Sequence, residues 1–420
     1  MHSSSKADSP VAPTAVPISS SLSGAKGAGN GTLGNTAKSS TTSDAKSKRA
    51  ERYEGLSVAR FWLGKHVERV APDRNAGDVY RTHDCRYVRR ARTVAVHYAA
   101  QFQSSHYANL ATCGSVWACP VCCALIQQRR RPELARLVSW SYDQGYKPCM
   151  VTFTFPHTAF DSLSDLKAAQ KLAFTKLRSG NVWTLFKKRC GFGGLVRSLE
   201  VTHGANGWHP HTHELWLIDH LTPSQESQFL VELRERWAKC CIAAGLLDPT
   251  DKEKVFHFQL HSVDVRFGAQ DSDYLAKQDS SRAWGVDREI VTASSKAGRA
   301  KGVHPHEFLI RRDKGDAMRY LEYVHAMAGS RQLYWSPGLK KSCGVDEIED
   351  EVLAMETNEK ADLLGSLSAD EWAVVRHKRL RAQLLDVAET GDWSKVQHFL
   401  VHVAGISPDG RGALSYPYNV

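Results

Sequence analysis

The segment that most constrains this chain is Gly194–Ile218. Two β-rich runs, Gly194–His203 and His209–Ile218, flank Gly204-Ala205-Asn206-Gly207. Asn-Gly tolerates the positive φ that tight turns require, so the segment reads as a β-hairpin. A hairpin needs a sheet, and the neighbouring sequence supplies one. Cys149–Phe155 is a β-rich run closed by Pro156, hence a strand. Ser164–Cys190 reads as one or two helices, with Ser164 as cap and Gly180 as break. Pro223–Ala244 reads as a helix, Val255–Phe267 alternates like a strand, and Ala269–Ser280 reads as a short helix. Strands mixed with helices around a hairpin predict an α+β antiparallel sheet with helices on one side.

Side chains alternate faces along a strand, so His209, His211 and His213 project together. Neighbouring imidazoles suit a core badly, because each needs a polar partner when buried. They suit a divalent metal, since neutral imidazole is a common ligand. The hairpin register chooses their partner. A loop of Ala205-Asn206 places Glu200 opposite His211, and a loop of Asn206-Gly207 places it opposite His213. An odd-length loop would turn His203 toward the histidines instead. Glu200 is therefore the preferred third ligand, ahead of His209 and then His203. A mixed His/carboxylate site with open positions suits Mg²⁺ or Mn²⁺ and phosphoryl chemistry. Zinc hydrolysis is the rival chemistry. Downstream, Asp271-Ser272-Asp273-Tyr274-Leu275-Ala276-Lys277 puts Tyr274 and Lys277 on one face if helical. A lysine there would favour the phenolate and could hold a phosphate oxygen.

Cys113, Cys119 and Cys122 form a CPxC-containing cluster that suits a structural zinc knuckle, with Cys85 as preferred fourth ligand, His83 and His106 as alternatives, and Cys123 as a bystander. Ten cysteines in a chain of this length, with no apolar N-terminal run, point to a reducing, cytoplasmic compartment. After the cluster, Arg129-Arg130-Arg131 opens a basic helix that could meet phosphates. The formal net charge of +10 favours a polyanionic partner, nucleic acid before membrane. Trp208, Trp284 and Trp335 could stack on unpaired bases, although most tryptophans pack.

Composition divides the chain. Residues 1–50 are Ser, Ala, Thr, Gly and Lys with few large apolar residues, so a disordered tail is expected. Residues 51–145 hold the zinc-binding and basic region, 146–342 the catalytic domain, and 343–420 a helical C-terminal region. In the last, Trp372, Val375, Leu380, Leu384 and Leu385 approximate a helical period. Dimerisation and recognition of a nucleic-acid site are both open as its role.

Taken in order, these motifs resemble a family. Gly194–His213 closely resembles the metal-binding motif of rolling-circle plasmid replication initiators, the Rep family of the HUH endonuclease superfamily. Val151-Thr152-Phe153-Thr154 resembles that family's first motif and Tyr274-Leu275-Ala276-Lys277 its third. Trp284–Glu289 with Lys296, and Gly329–Leu339, also look like the family, so the likeness spans about residues 80–340. The resemblance implies an HUH-type antiparallel sheet with flanking helices. It implies His211 and His213 as core ligands and Tyr274 as the nucleophile that nicks single-stranded origin DNA. The product would be a 5′-phosphotyrosine and a free 3′-OH, with a host helicase and DNA polymerase as partners. Some relatives carry a glutamate one helical turn before the tyrosine for termination; Gln270 and Asp271 stand there, and Asp271 could serve. Tyr320 and Tyr323 are downstream alternatives for a second tyrosine. A transposase or relaxase of the same chemistry, and a non-catalytic origin-binding protein, are the competing readings.

Overall fold

The computed structural model describes residues 42–268, 302–355 and 361–406. The chain opens with helices α1 (Thr42–Val70), α2 (Ala76–Val79) and α3 (Arg81–Asp84), then strands β1 (Val94–Ala99) and β2 (Ser104–Ala108). Next come α4 (Pro120–Asp143), β3 (Lys147–Phe153), α5 (Leu163–Leu177), α6 (Gly180–Arg189) and the hairpin β4 (Gly194–Gly204) and β5 (Gly207–Ile218). They are followed by α7 (Pro223–Ala243), α8 (Lys252–His261) and β6 (Val263–Phe267). After residue 302 the elements are α9 (Glu307–Arg311), α10 (Asp316–Met327), β7 (Leu333–Trp335), α11 (Leu339–Ser342) and α12 (Asp350–Ala354). The last are β8 (Asp362–Leu367), α13 (Ala369–His377), α14 (Arg381–Ala388) and α15 (Trp393–His402).

The hairpin forms the middle of a five-stranded antiparallel sheet ordered β6-β3-β5-β4-β7. Gly204 pairs with Gly207, so the loop is Ala205-Asn206 and Glu200 lies opposite His211. The positive φ of the turn falls on Gly207 (+80°), while Ala205 and Asn206 keep negative φ. A Cβ on Gly207 would also stand 2.8 Å from the Thr158 carbonyl oxygen, so the turn and a neighbouring loop both require glycine there.

Strand alternation sorts the sheet into two buried faces. Phe153, Trp216 and Ile218 pack against Phe174 of α5, Trp183 and Phe186 of α6, and Phe229 and Trp237 of α7. On the other face, Met150, Val196, Leu215 and Leu217 pack against Leu134, Leu137 and Val138 of α4. Helices therefore flank both faces, not one. The basic helix expected after the cysteines is part of α4, and its place on the sheet was not foreseen because its apolar stripe meets strands formed later in the chain. α4 covers only one end of its face, and the odd-numbered positions of β5 pass from buried Leu217 and Leu215 to half-buried His213, His211 and His209.

Other local readings shift. The helix after β3 is capped by Ser162, whose side chain accepts from the Asp165 amide at 3.1 Å, not by Ser164. Val255–Phe267 is not one strand: Asp251 caps α8, and only Val263–Phe267 is extended. Helix α1 begins at Thr42, inside the expected tail, and its Arg49 pairs with Asp386 and Glu389. The C-terminal region is not purely helical. Its β8 pairs with β1 in a second sheet ordered β2-β1-β8, and Tyr107 donates to the Arg381 carbonyl at 2.7 Å. Such pairing joins segments far apart in sequence, so no local period reports it. The expected helix Ala269–Ser280 lies outside the described residues. Among the described residues, no helix is long and apolar enough to cross a membrane.

Candidate metal centres

On the α4-side face, beyond the strand positions that α4 covers, Glu200, His211 and His213 converge, with one ligand atom from each within 4.8 Å of the others. Both imidazole Nε2 atoms point at one Glu200 oxygen, His211 at 3.1 Å and His213 at 3.2 Å. Their Nδ1 atoms are engaged behind the site. That of His211 donates to the His209 carbonyl (3.3 Å), and that of His213 meets Thr152 Oγ1 (3.0 Å). Such support fixes ring orientation and leaves Nε2 for an ion. Burial opposes ionisation of Glu200. Hydrogen bonds and positive charge from His211 and His213 overcome it and hold the carboxyl well below the usual carboxylate range. A pre-ionised carboxylate beside two imidazoles fits a divalent cation by donor chemistry.

His209 stands one step away. Its Nδ1 meets His157 Nε2 at 2.8 Å, and His157 Nδ1 donates to the Asn206 carbonyl at 2.9 Å. His203 faces the other way, its ring edge-on to Trp208 at 4.8 Å. Glu214, beside His213 in sequence, also points away, fully buried and bonded by Arg178 and the Trp216 indole. The sequence offered no sign of His157, because its contact crosses 52 positions. Tyr274, Lys277 and Asp271 lie outside the described residues, as do Trp284 and Lys296. Tyr320 and Tyr323 are fully buried, burial raises both phenols well above their ordinary value, and Tyr320 donates to the Ala118 carbonyl. Neither is available to a DNA phosphate. Trp208 is buried as well, and Arg130 is engaged by Glu133 and Asp350.

Two half-buried histidines, His209 and His304, make acid stability a test of this geometry. Burial, with His211 and His157 nearby, lowers His209 to about 4, and burial lowers His304 to about 4. Unfolded histidines titrate near ~6.5, so between that pH and 4 the unfolded chain binds more protons. Folding stability should therefore fall as pH drops from 6.5 toward 4. Urea midpoints without added metal are expected to decline across pH 7.5, 6 and 5. A midpoint that rises on acidification would show these rings charged in the fold.

The second cluster is Cys85, Cys113, Cys119 and Cys122, all buried. Sulfur separations are 3.5 Å (Cys85–Cys122), 3.6 Å (Cys113–Cys122) and 3.7 Å (Cys119–Cys85). These are far beyond a disulfide bond. They match the edge of about 3.8 Å of a tetrahedron with Zn–S near 2.3 Å. Amides of Ser115 and Cys122 donate to Cys113 and Cys119 sulfurs at 3.4 Å, and Cys119 caps α4. The donor set fits zinc. His83 instead pairs with Asp84, His106 stacks on His97, and Cys123 is raised to about 12 by burial, outside the group.

Comparison with known proteins adds two relatives. The chain is 26% identical over 354 residues to "Protein rep" of Streptomyces lividans, covering 68% of this chain and 76% of that protein. It is 32% identical over 171 residues to "Neomycin resistance protein" of Streptomyces cyanogenus, covering 31% of this chain and 38% of that protein. No protein-family profile and no solved structure matches the chain.

Proposed function

We propose that this chain initiates rolling-circle plasmid replication as an HUH-class nuclease and ligase, cutting and rejoining one DNA strand at an origin. The observation that carries the reading is the convergence of Glu200, His211 and His213 on one sheet face. The distant relative named "Protein rep" supports a role in replication. The four-cysteine cluster and the Trp335-Ser336 region favour an initiator over a transposase or relaxase. A non-catalytic origin-binding protein would have no use for a pre-ionised carboxylate aimed at two supported imidazoles.

Glu200, His211 and His213 would hold Mn²⁺ or Mg²⁺, which when bound polarises a phosphoryl oxygen as a Lewis acid. The Tyr274 oxygen attacks the scissile phosphorus, forming a tyrosine–phosphate bond as the bond to the 3′ oxygen breaks. The departing oxygen takes up a proton and becomes the 3′-OH that primes synthesis. Lys277 would favour the phenolate and hold a phosphate oxygen. In termination a strand's 3′-OH attacks the same phosphorus and returns the tyrosine, with Asp271 as proton acceptor. The test incubates the full chain with Mn²⁺ and a single-stranded origin oligonucleotide. The expected result is a covalent adduct that peptide mapping assigns to Tyr274. Cleavage without an adduct, or an adduct elsewhere, would overturn the reading.

A further inference from the structure

We propose that Phe160, in the loop between β3 and α5, is a stacking platform for an unpaired base of a DNA strand lying on the histidine face. The proposal rests on the DNA-cutting reading and adds the means by which the strand is held. Phe160 is 98% exposed, whereas the nearby aromatics Phe153, Phe155 and Trp208 are buried. Single exposed apolar residues are common and by themselves carry no meaning. Here the setting differs, because the loop that presents the ring is fastened at several points. Asp161 Oδ2 accepts from the Thr158 amide at 2.6 Å and from Thr158 Oγ1 at 2.9 Å. The Phe160 amide donates to Thr158 Oγ1 at 3.3 Å.

The same loop is seated on the hairpin tip. His157 bridges Asn206 and His209, and the close approach of Thr158 and Ala159 is what forbids a side chain at Gly207. Phe160 is therefore fixed relative to the site. Three residues span at most about 10 Å from His157, and the His157, His209 and His211 rings follow one another at 4.9 and 5.0 Å. A strand whose phosphate sits at Glu200, His211 and His213 would carry neighbouring bases past this ring. The net charge of +10 matches a polyanion. An isolated ring can take only a base whose face is uncovered, which selects single-stranded over duplex DNA.

The test measures binding of single-stranded oligonucleotides carrying 2-aminopurine at successive positions to the full chain without Mn²⁺. Phe160→Ala is expected to weaken binding roughly 5- to 150-fold, the range for one lost base–aromatic stack. It should remove 2-aminopurine quenching at one position and leave the urea midpoint unchanged, while Phe160→Trp retains both affinity and quenching. Unchanged affinity in Phe160→Ala would overturn the platform alone, as would an equal loss on blunt duplex. So would a dimer of the parent chain that the substitution dissociates, since the ring would then serve a second copy. A parent chain that binds no single strand would defeat the DNA-cutting reading itself.

Discussion

Tyr274→Phe is expected to bind Mn²⁺ as tightly as the parent chain and to form no covalent adduct with the origin strand, whereas His213→Ala loses both. The two outcomes separate nucleophile from metal ligand. A phenol with a pKa near ~10 is only about 0.1% ionised at neutral pH, so it reacts only where the phosphate is already polarised. On the proposed chemistry, removing the oxygen removes the bond-forming atom and leaves Glu200, His211 and His213 intact. Removing His213 acts earlier. Its Nε2 is one of two imidazole nitrogens aimed at Glu200, and Thr152 already orients it from behind. Even supporting residues around metal sites change affinity by about 10- to 100-fold, so losing a ligand should weaken Mn²⁺ by at least ~100-fold. Losing about 4 kcal/mol of charge stabilisation would slow adduct formation ~1000-fold. Titration calorimetry and adduct yield measure the two effects independently. A His213→Ala chain that keeps its Mn²⁺ affinity would remove His213 from the site.

The hairpin was the most legible part of the chain, because period-two alternation and a glycine-flanked turn are local signals. They left three candidate partners for the histidines, and one register decided among them. With a two-residue loop, Glu200 faces His211, and His203 turns toward Trp208. His157 was invisible for the opposite reason. Its role comes from a loop folding onto the hairpin tip, a contact no spacing rule encodes. The strand β8 is the same kind of case: Leu363 and Leu367 carry no helical or strand period by themselves, and pairing with His97 and Val94 of β1 gives them their conformation. α8 shows a local signal misread, since alternation between Val255 and His261 is compatible with a helix once Asp251 caps its first turn. The four cysteines lie between these extremes. Three announce themselves by tight spacing, and the fourth, Cys85, needed the fold to separate it from His83 and His106.

Cys119→Ser is expected to lose one bound zinc per chain, whereas Cys123→Ser keeps it, and the loss should reach the histidine site. Four buried sulfurs at these separations are a poor core without a cation, since each ionised thiolate would stand unsolvated among the others. Binding of structural zinc contributes about 10–16 kcal/mol in small zinc-folded peptides. Recovering even 5 kcal/mol of that here corresponds to a melting shift on the order of 10 °C. The cysteine loop is also a fastening point. Its Trp117 carbonyl accepts from His306, its Trp117 indole donates to the Ser330 carbonyl, and its Ala118 carbonyl accepts from Tyr320 on α10. His306 follows Val303, whose amide and carbonyl pair with His203 on β4, the strand that carries Glu200. Release of the loop therefore loosens what braces the edge of β4. Mn²⁺ affinity should fall in Cys119→Ser although no histidine or carboxylate has changed. Metal analysis and melting of the two serine variants decide the first point, and Mn²⁺ titration decides the second. Full zinc content in Cys119→Ser would reject the four-cysteine site, and zinc loss with unaltered Mn²⁺ affinity would show that the two centres stand independently.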